Sequence, residues 1–190
     1  MRARARRARV RRTRLAVRAR VRRRAHECGD ALDGPPLPVL RGVRRALRAG
    51  GRFVGELGGA GNVATFRAAL HAALAVRGYD PEARDPWTFP TTDDFAAALR
   101  AADFSVVAIE LFARPTPLPT GVSGWLETFA GSFVAGLPNR ERNAIFAGVA
   151  ARLDPQPTTA HQPYVADYVR LRFVASAGRD HSDSSPSSRP

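Results

Sequence analysis

Two glycines, Gly50 and Gly51, join an amphipathic stretch to a short apolar run, and this junction commits the chain to alternating helix and strand. In "PVLRGVRRALRAGG", Val39, Leu40, Val43 and Leu47 share one helical face with arginines on the other, and the glycine pair supplies a left-handed stop. "RFVGEL" follows as a buried strand that ends in the turn "GGAGN". A second helix is predicted from Val63 to Arg77, with Phe66, Leu70 and Leu74 in one stripe and Gly78 beyond its end. "YDPEARDPWTFP" reads as a loop, and Thr91 or Thr92 as the N-cap of a helix through "DDFAAALRAAD". "FSVVAIELFAR" is a strand broken by "PTPLPTG". Helices over Val122 to Leu137 and Asn139 to Leu153 flank Pro138. In the last strand, Tyr164 to Ser176, Tyr168, Arg170 and Arg172 alternate with Val169, Leu171 and Phe173, so one face is wetter. Three strands are few for five helices in a layered α/β domain.

The chain has 190 residues, enough for one domain. All 30 of its basic residues are arginine, and thirteen of them lie between Arg2 and Arg24, where there is no acid. The net charge of +13 therefore belongs to the N-terminus, and the remainder is balanced. One cysteine, Cys28, excludes an intramolecular disulfide framework and a multi-cysteine zinc site, and fits a cytoplasmic protein. No run reaches the roughly 18 to 20 apolar residues of a membrane span, and the start lacks the apolar core of a secretory signal. Its composition is that of a transit peptide, but Val10, Leu15, Val17 and Val21 are too few for an apolar face.

"GAGNVA", Gly59 to Ala64, satisfies the dinucleotide-binding pattern G-x-G-x-x-[GA] after a strand, and Asp80 falls near the distance of a ribose-binding acid. A dinucleotide-dependent oxidoreductase would need a second strand ending at that acid, and "HAALAVRGYD" is a helix tail and a turn. A tight strand-to-helix turn explains the glycines. Glu56 stands at the carboxyl end of its strand, where open sheets place ligands, and Asn62 and Trp87 are candidates for the same crevice. Each has a plainer role: solvation for Glu56, helix capping for Asn62, packing for Trp87. Arg170 and Arg172 suit an anionic substrate, a wet sheet face, or pairing with Asp167. His71 and His161 have no partner at metal spacing, so no metal site is expected. No nucleophile elbow, Walker loop or carboxylate pair is present.

From "VLRGVRRALRAGGRFVGELGGAGN" onward the sequence resembles the class I S-adenosylmethionine-dependent methyltransferases, in the bacterial small-molecule branch that includes trans-aconitate methyltransferases. That stretch is similar to the family's fourth helix and fifth strand, "WTFPTTDDFAAALRAADFSVVAIELFARPTPL" to the segment into the sixth strand, and "ADYVRLRFVAS" to the antiparallel seventh. The resemblance covers residues 38 to 176 and implies a Rossmann-like fold, of which this is the C-terminal portion of a seven-stranded sheet. It implies methyl transfer to a small-molecule acceptor such as a carboxylate, with Arg170, Arg172, Trp87 and Trp125 as candidates for the acceptor side. The family holds S-adenosylmethionine with a G-x-G-x-G turn after the first strand, an acid ending the second and a loop after the third. None has a counterpart here, so the chain is expected to bind the donor weakly or not at all.

By the same resemblance, a fourth strand and its exit should precede "PVLRGV". A one-base shift across "RLAVRARVRRRAHECGDALD", residues 14 to 33, permits "DLPFAPEFDAVLTNAAMHWM" at every codon, which matches that expectation. Residues 1–36 are thus read as an Arg-rich, frame-shifted segment with a disordered or irregular backbone, 37–176 as the methyltransferase part, and 177–190 as a disordered polar tail. Two rivals remain. One is a nucleic-acid-binding protein using the N-terminal arginines, although polyarginine binds phosphate non-specifically and the arm has no aromatic residue to stack on a base. The other is a partner-binding α/β fragment that completes itself on another chain. The fifth strand's outer edge is expected to be unpaired.

Overall fold

The computed structural model describes residues 37–154 and 163–178. The arginine-rich segment with Cys28, His161, and the tail beyond Gly178 lie outside the described residues. The chain runs α1 (Leu37–Ala46), β1 (Arg52–Gly58), α2 (Ala64–Ala75), a helical turn α3 (Pro81–Arg84), α4 (Thr92–Ala101), β2 (Phe104–Ala113) and β3 (Thr116–Pro117). It continues through α5 (Gly121–Phe129), a 3₁₀ turn (Gly131–Val134), α6 (Asn139–Leu153), β4 (Val165–Ala166) and β5 (Val169–Ala177). Gly50, at φ +71°, makes the stop between α1 and β1 in a region that a side chain would disfavour.

β5 lies between β1 and β2 and runs antiparallel to both. The register sets Glu56 beside Arg172 and Arg172 beside Glu110, while Gly55 and Ile109 flank Phe173. Alternation along β5 sends Leu171, Phe173 and Ala175 to one face, where they meet Leu40 of α1 and Phe95 and Leu99 of α4. Phe53 stands edge-on to Phe173 at 4.8 Å and completes the layer. α4 starts with a full capping box, Thr91 accepting from the Asp94 backbone N–H and Asp94 from that of Thr91. The other face carries Val54, Glu56, Ala108, Glu110, Arg170 and Arg172 and stays largely open.

A second core gathers at the carboxyl ends of β1 and β2. Phe66, Leu70 and Leu74 of α2 meet Val122, Trp125 and Leu126 of α5 and Ile145, Phe146 and Val149 of α6. The small β3–β4 ladder closes this core beside the sheet.

Several expectations need correction. β1 is half-exposed rather than buried, because among the described residues it has one strand neighbour and one covered face. Val39 points to solvent at 55 % exposure, since α1 buries a narrow stripe around Leu40. The loop before α4 contains α3, nucleated by Asp80, whose carboxylate accepts from the N–H groups of Glu82 and Ala83 with Pro81 at the first position. The helix from Val122 stops at Phe129 and gives way to the 3₁₀ turn, so that Phe133 and Val134 drop into the core. β5 runs through Ala177, which moves the start of the polar tail outward.

Replacing Leu99 with alanine should cost about 2–5 kcal/mol in urea unfolding, because it empties the layer between α4 and the sheet. Val76→Ala, on a side chain 89 % exposed, should stay within about 0.5 kcal/mol of the parent.

Candidate functional site

The turn that leaves β1 is closed by its own hydrogen bonds. Gly59 donates to the Val169 carbonyl, Ala60 to that of Pro90, Asn62 to that of Gly59, and Val63 to that of Asp167. The Asp167 carboxylate takes the next donors, accepting from the Thr65 backbone N–H at 2.9 Å and its hydroxyl at 2.7 Å. Val63 is β-branched yet has φ +48°, and the bracket from Asp167 holds it in that strained conformation. A pyrophosphate would need these amides free and an acid for its ribose. The amides of Gly59, Ala60, Asn62 and Val63 are engaged and Asp80 caps α3, so "GAGNVA" serves as a structural turn and the oxidoreductase alternative is not favoured. Nor do the described residues offer a glycine cradle with open donors for S-adenosylmethionine, and no chemical step is assigned through that group.

Asn62 does not cap α2. Its side chain, 6 % exposed as a residue, accepts instead from the Val169 backbone N–H at 3.0 Å and ties the turn to β5. Arg170 and Arg172 pair with Glu56 rather than Asp167, because the register sets them beside β1 on the open face. Glu56 Oε1 accepts from Arg114 Nη1 at 2.8 Å and Arg170 Nε at 3.2 Å, and Oε2 accepts from Arg172 Nη2 at 3.0 Å. Arg172 also lies 3.7 Å from Glu110 and over the Phe112 ring. The Arg172 hydrogen bond does most to hold the Glu56 carboxyl below its ordinary pKa. Desolvation opposes it, and Arg170 and the charges of Arg114 and Arg172 add to the depression. Three guanidiniums face two carboxylates, so the cluster keeps a positive excess and unused N–H donors. It is equipped to bind an anion, whereas an ionised Glu56 wrapped in arginines is a poor proton carrier near neutrality.

Trp87 and Trp125 come together elsewhere, with ring centroids 5.8 Å apart in the helical core. Trp125 stacks 4.0 Å from Phe66 and donates its indole N–H to the Tyr168 hydroxyl at 2.7 Å. Trp87 packs against Phe89 and Phe133. The six candidates thus fall into a charged trio of Glu56, Arg170 and Arg172, an aromatic pair, and Asn62 at the turn that leads from β1 into α2. Arg114, the third arginine, was not marked by its sequence context; only the strand register shows it.

A second polar group also escaped the sequence. Asp85, whose side chain is 2 % exposed, pairs with Arg67, takes His71 Nε2 at 2.7 Å, and accepts from the Trp87 backbone N–H at 2.8 Å. His71 Nδ1 lies 3.4 Å from Glu82. Through its contact with Asp85, His71 fastens α2 to the segment around α3. No group of three or more potential metal-binding side chains occurs among the described residues, and no helix there is long and apolar enough to cross a membrane.

Two outcomes check this site. A depressed carboxyl pKa adds stability that is present above the unfolded value and lost as pH falls through the folded one. The stability advantage of the parent over Glu56→Gln should therefore shrink in urea melts as pH falls below the ordinary glutamate pKa of about 4.3. Asn62→Ala should cost about 1–3 kcal/mol, because the Val169 N–H is left without its acceptor.

No family model matches the chain. It is 36 % identical over 140 residues to an uncharacterised methyltransferase of Schizosaccharomyces pombe, an alignment that takes in 72 % of this chain and 54 % of that protein. The chain thus spans about half the length of this curated relative. A solved structure of a presumed methyltransferase from Bacillus halodurans aligns with a TM-score of 0.44 at 10 % identity, over 75 % of this chain and 63 % of the other, which is too loose to argue from. On the sequence relationship, the chain is a homologue of part of a methyltransferase.

Proposed function

We propose that this chain is the acceptor-side part of a methyltransferase that transfers a methyl group to a small anionic molecule, with a carboxylate as the favoured acceptor. The observation that carries the proposal is the arginine excess around Glu56 on the open face of the sheet, near the carboxyl end of β1. Arg114, Arg170 and Arg172 would hold the acceptor's charge, whereas Trp87 and Trp125 pack in the helical core and do not line that position. Transfer between two small molecules is mostly a matter of alignment, which fixed guanidinium forks provide. S-adenosylmethionine is the methyl source that the family relationship supports. The closed turn at Gly59 to Thr65 supports placing the donor pocket outside the described residues.

The same proposal covers the start of the chain. Residues 1–36 derive from coding sequence read one base out of frame, and the true frame resumes near Leu37. Their affinity for nucleic acid is then non-specific charge attraction. The lone cysteine supports a cytoplasmic setting.

Calorimetry of the purified 190-residue chain should show no tight binding of S-adenosylmethionine; tight binding would defeat the proposal that the pocket lies elsewhere. Nucleotide sequencing across the first hundred codons and upstream tests the frame. Stop codons in the shifted frame, or no G-x-G-x-G turn upstream, would sink that part. In a frame-restored protein, Arg170→Ala with Arg172→Ala should raise KM for a carboxylate acceptor by about tenfold or more. An unchanged KM would remove the acceptor assignment.

A further inference from the structure

β1 has β5 on one side and, among the described residues, no strand on the other. Gly59 donates to the Val169 carbonyl and Ala177 to that of Gly51, which fixes the parity of the ladder. Odd-numbered residues of β1 turn their backbone groups toward β5, and Arg52, Val54, Glu56 and Gly58 turn theirs outward. The opposite edge of the sheet differs, because a bulge between Val106 and Ala108 kinks β2 where an added strand would lie. β1 has an unbroken register, and Val54 on it is 58 % exposed.

We propose that a second copy of this chain pairs antiparallel with β1 about a two-fold axis through Val54, making one continuous six-stranded sheet. The sequence of the edge selects this register. With the axis at Val54, Val54 faces the partner's Val54 and Arg52 faces the partner's Glu56, on both sides of the axis. All three pairs use outward-turned residues, so they exchange about six backbone hydrogen bonds. Moving the axis by one residue sets Val54 against Glu56 or Arg52. Moving it by two sets Glu56 against Glu56 or Arg52 against Arg52, and directly opposed like charges are destabilising. The contact is isologous and therefore closed: two copies satisfy each other and leave only the bulged β2 edges outside. The inference does not rest on methyl transfer, since its test reads oligomeric state rather than donor binding or turnover.

Sedimentation velocity of the full 190-residue chain across a concentration series should show a monomer–dimer equilibrium. Arg52→Glu, an exposed substitution, should raise the dimer dissociation constant by about tenfold, because it opposes two acids on each side of the axis. Facing Cα atoms in such a hydrogen-bonded pair lie about 5.5 Å apart, within disulfide range. Cys28→Ser with Val54→Cys should therefore form a covalent dimer under mild oxidation, whereas Cys28→Ser with Val107→Cys should not. A monomer at every concentration, open-ended aggregates, or a dimer lacking either response overturns the proposal; circular dichroism establishes that each variant is folded.

Discussion

The hydrogen bonding of β5 on both of its edges is the constraint from which the rest of the molecule follows. β1 and β2 share no ladder of backbone hydrogen bonds, and β5 between them makes the sheet. Its alternation then feeds two environments at once. Leu171, Phe173 and Ala175 close the layer beneath α1 and α4, while Arg170 and Arg172 are delivered to Glu56 on the opposite face. Just before the strand, Asp167 secures the N-terminal turn of α2 and Tyr168 takes the Trp125 indole. A single strand thus aligns the sheet, the charged cluster and the helical core.

What could be read from the sequence was periodic. The stripe of Phe66, Leu70 and Leu74 marks a helix, and the two-residue alternation from Val169 to Phe173 marks a strand with unlike faces. A cap at Thr91 or Thr92 was legible because its chemistry is local, and the structure uses Thr91, three residues from its partner Asp94. The Asp80 cap is equally local, but proline and aromatic residues around it gave the segment the look of a loop.

The site was less legible because its contacts are long-range. Glu56 meets Arg114, Arg170 and Arg172 through register, and nothing within a few residues of any of them announces the meeting. Asn62 resembles a helix cap by position and serves a strand more than a hundred residues away. Asp85 looked like a loop acid and is buried among Arg67, His71 and the Trp87 amide. Glu56, Arg170 and Arg172 were candidates separately, and the structure brings the three side chains together. Ion pairs this open to solvent add little stability singly, so their value lies in orienting charge.

The order of the strands also sets a timetable for synthesis. β1 leaves the ribosome more than a hundred residues before β5, the strand that pairs with it. At a translation rate of roughly 5–20 residues per second, β1 waits roughly 6 to 23 seconds without a hydrogen-bonding partner. During that interval its open backbone and the apolar pair Phe53 and Val54 are a liability to a crowded, nascent chain.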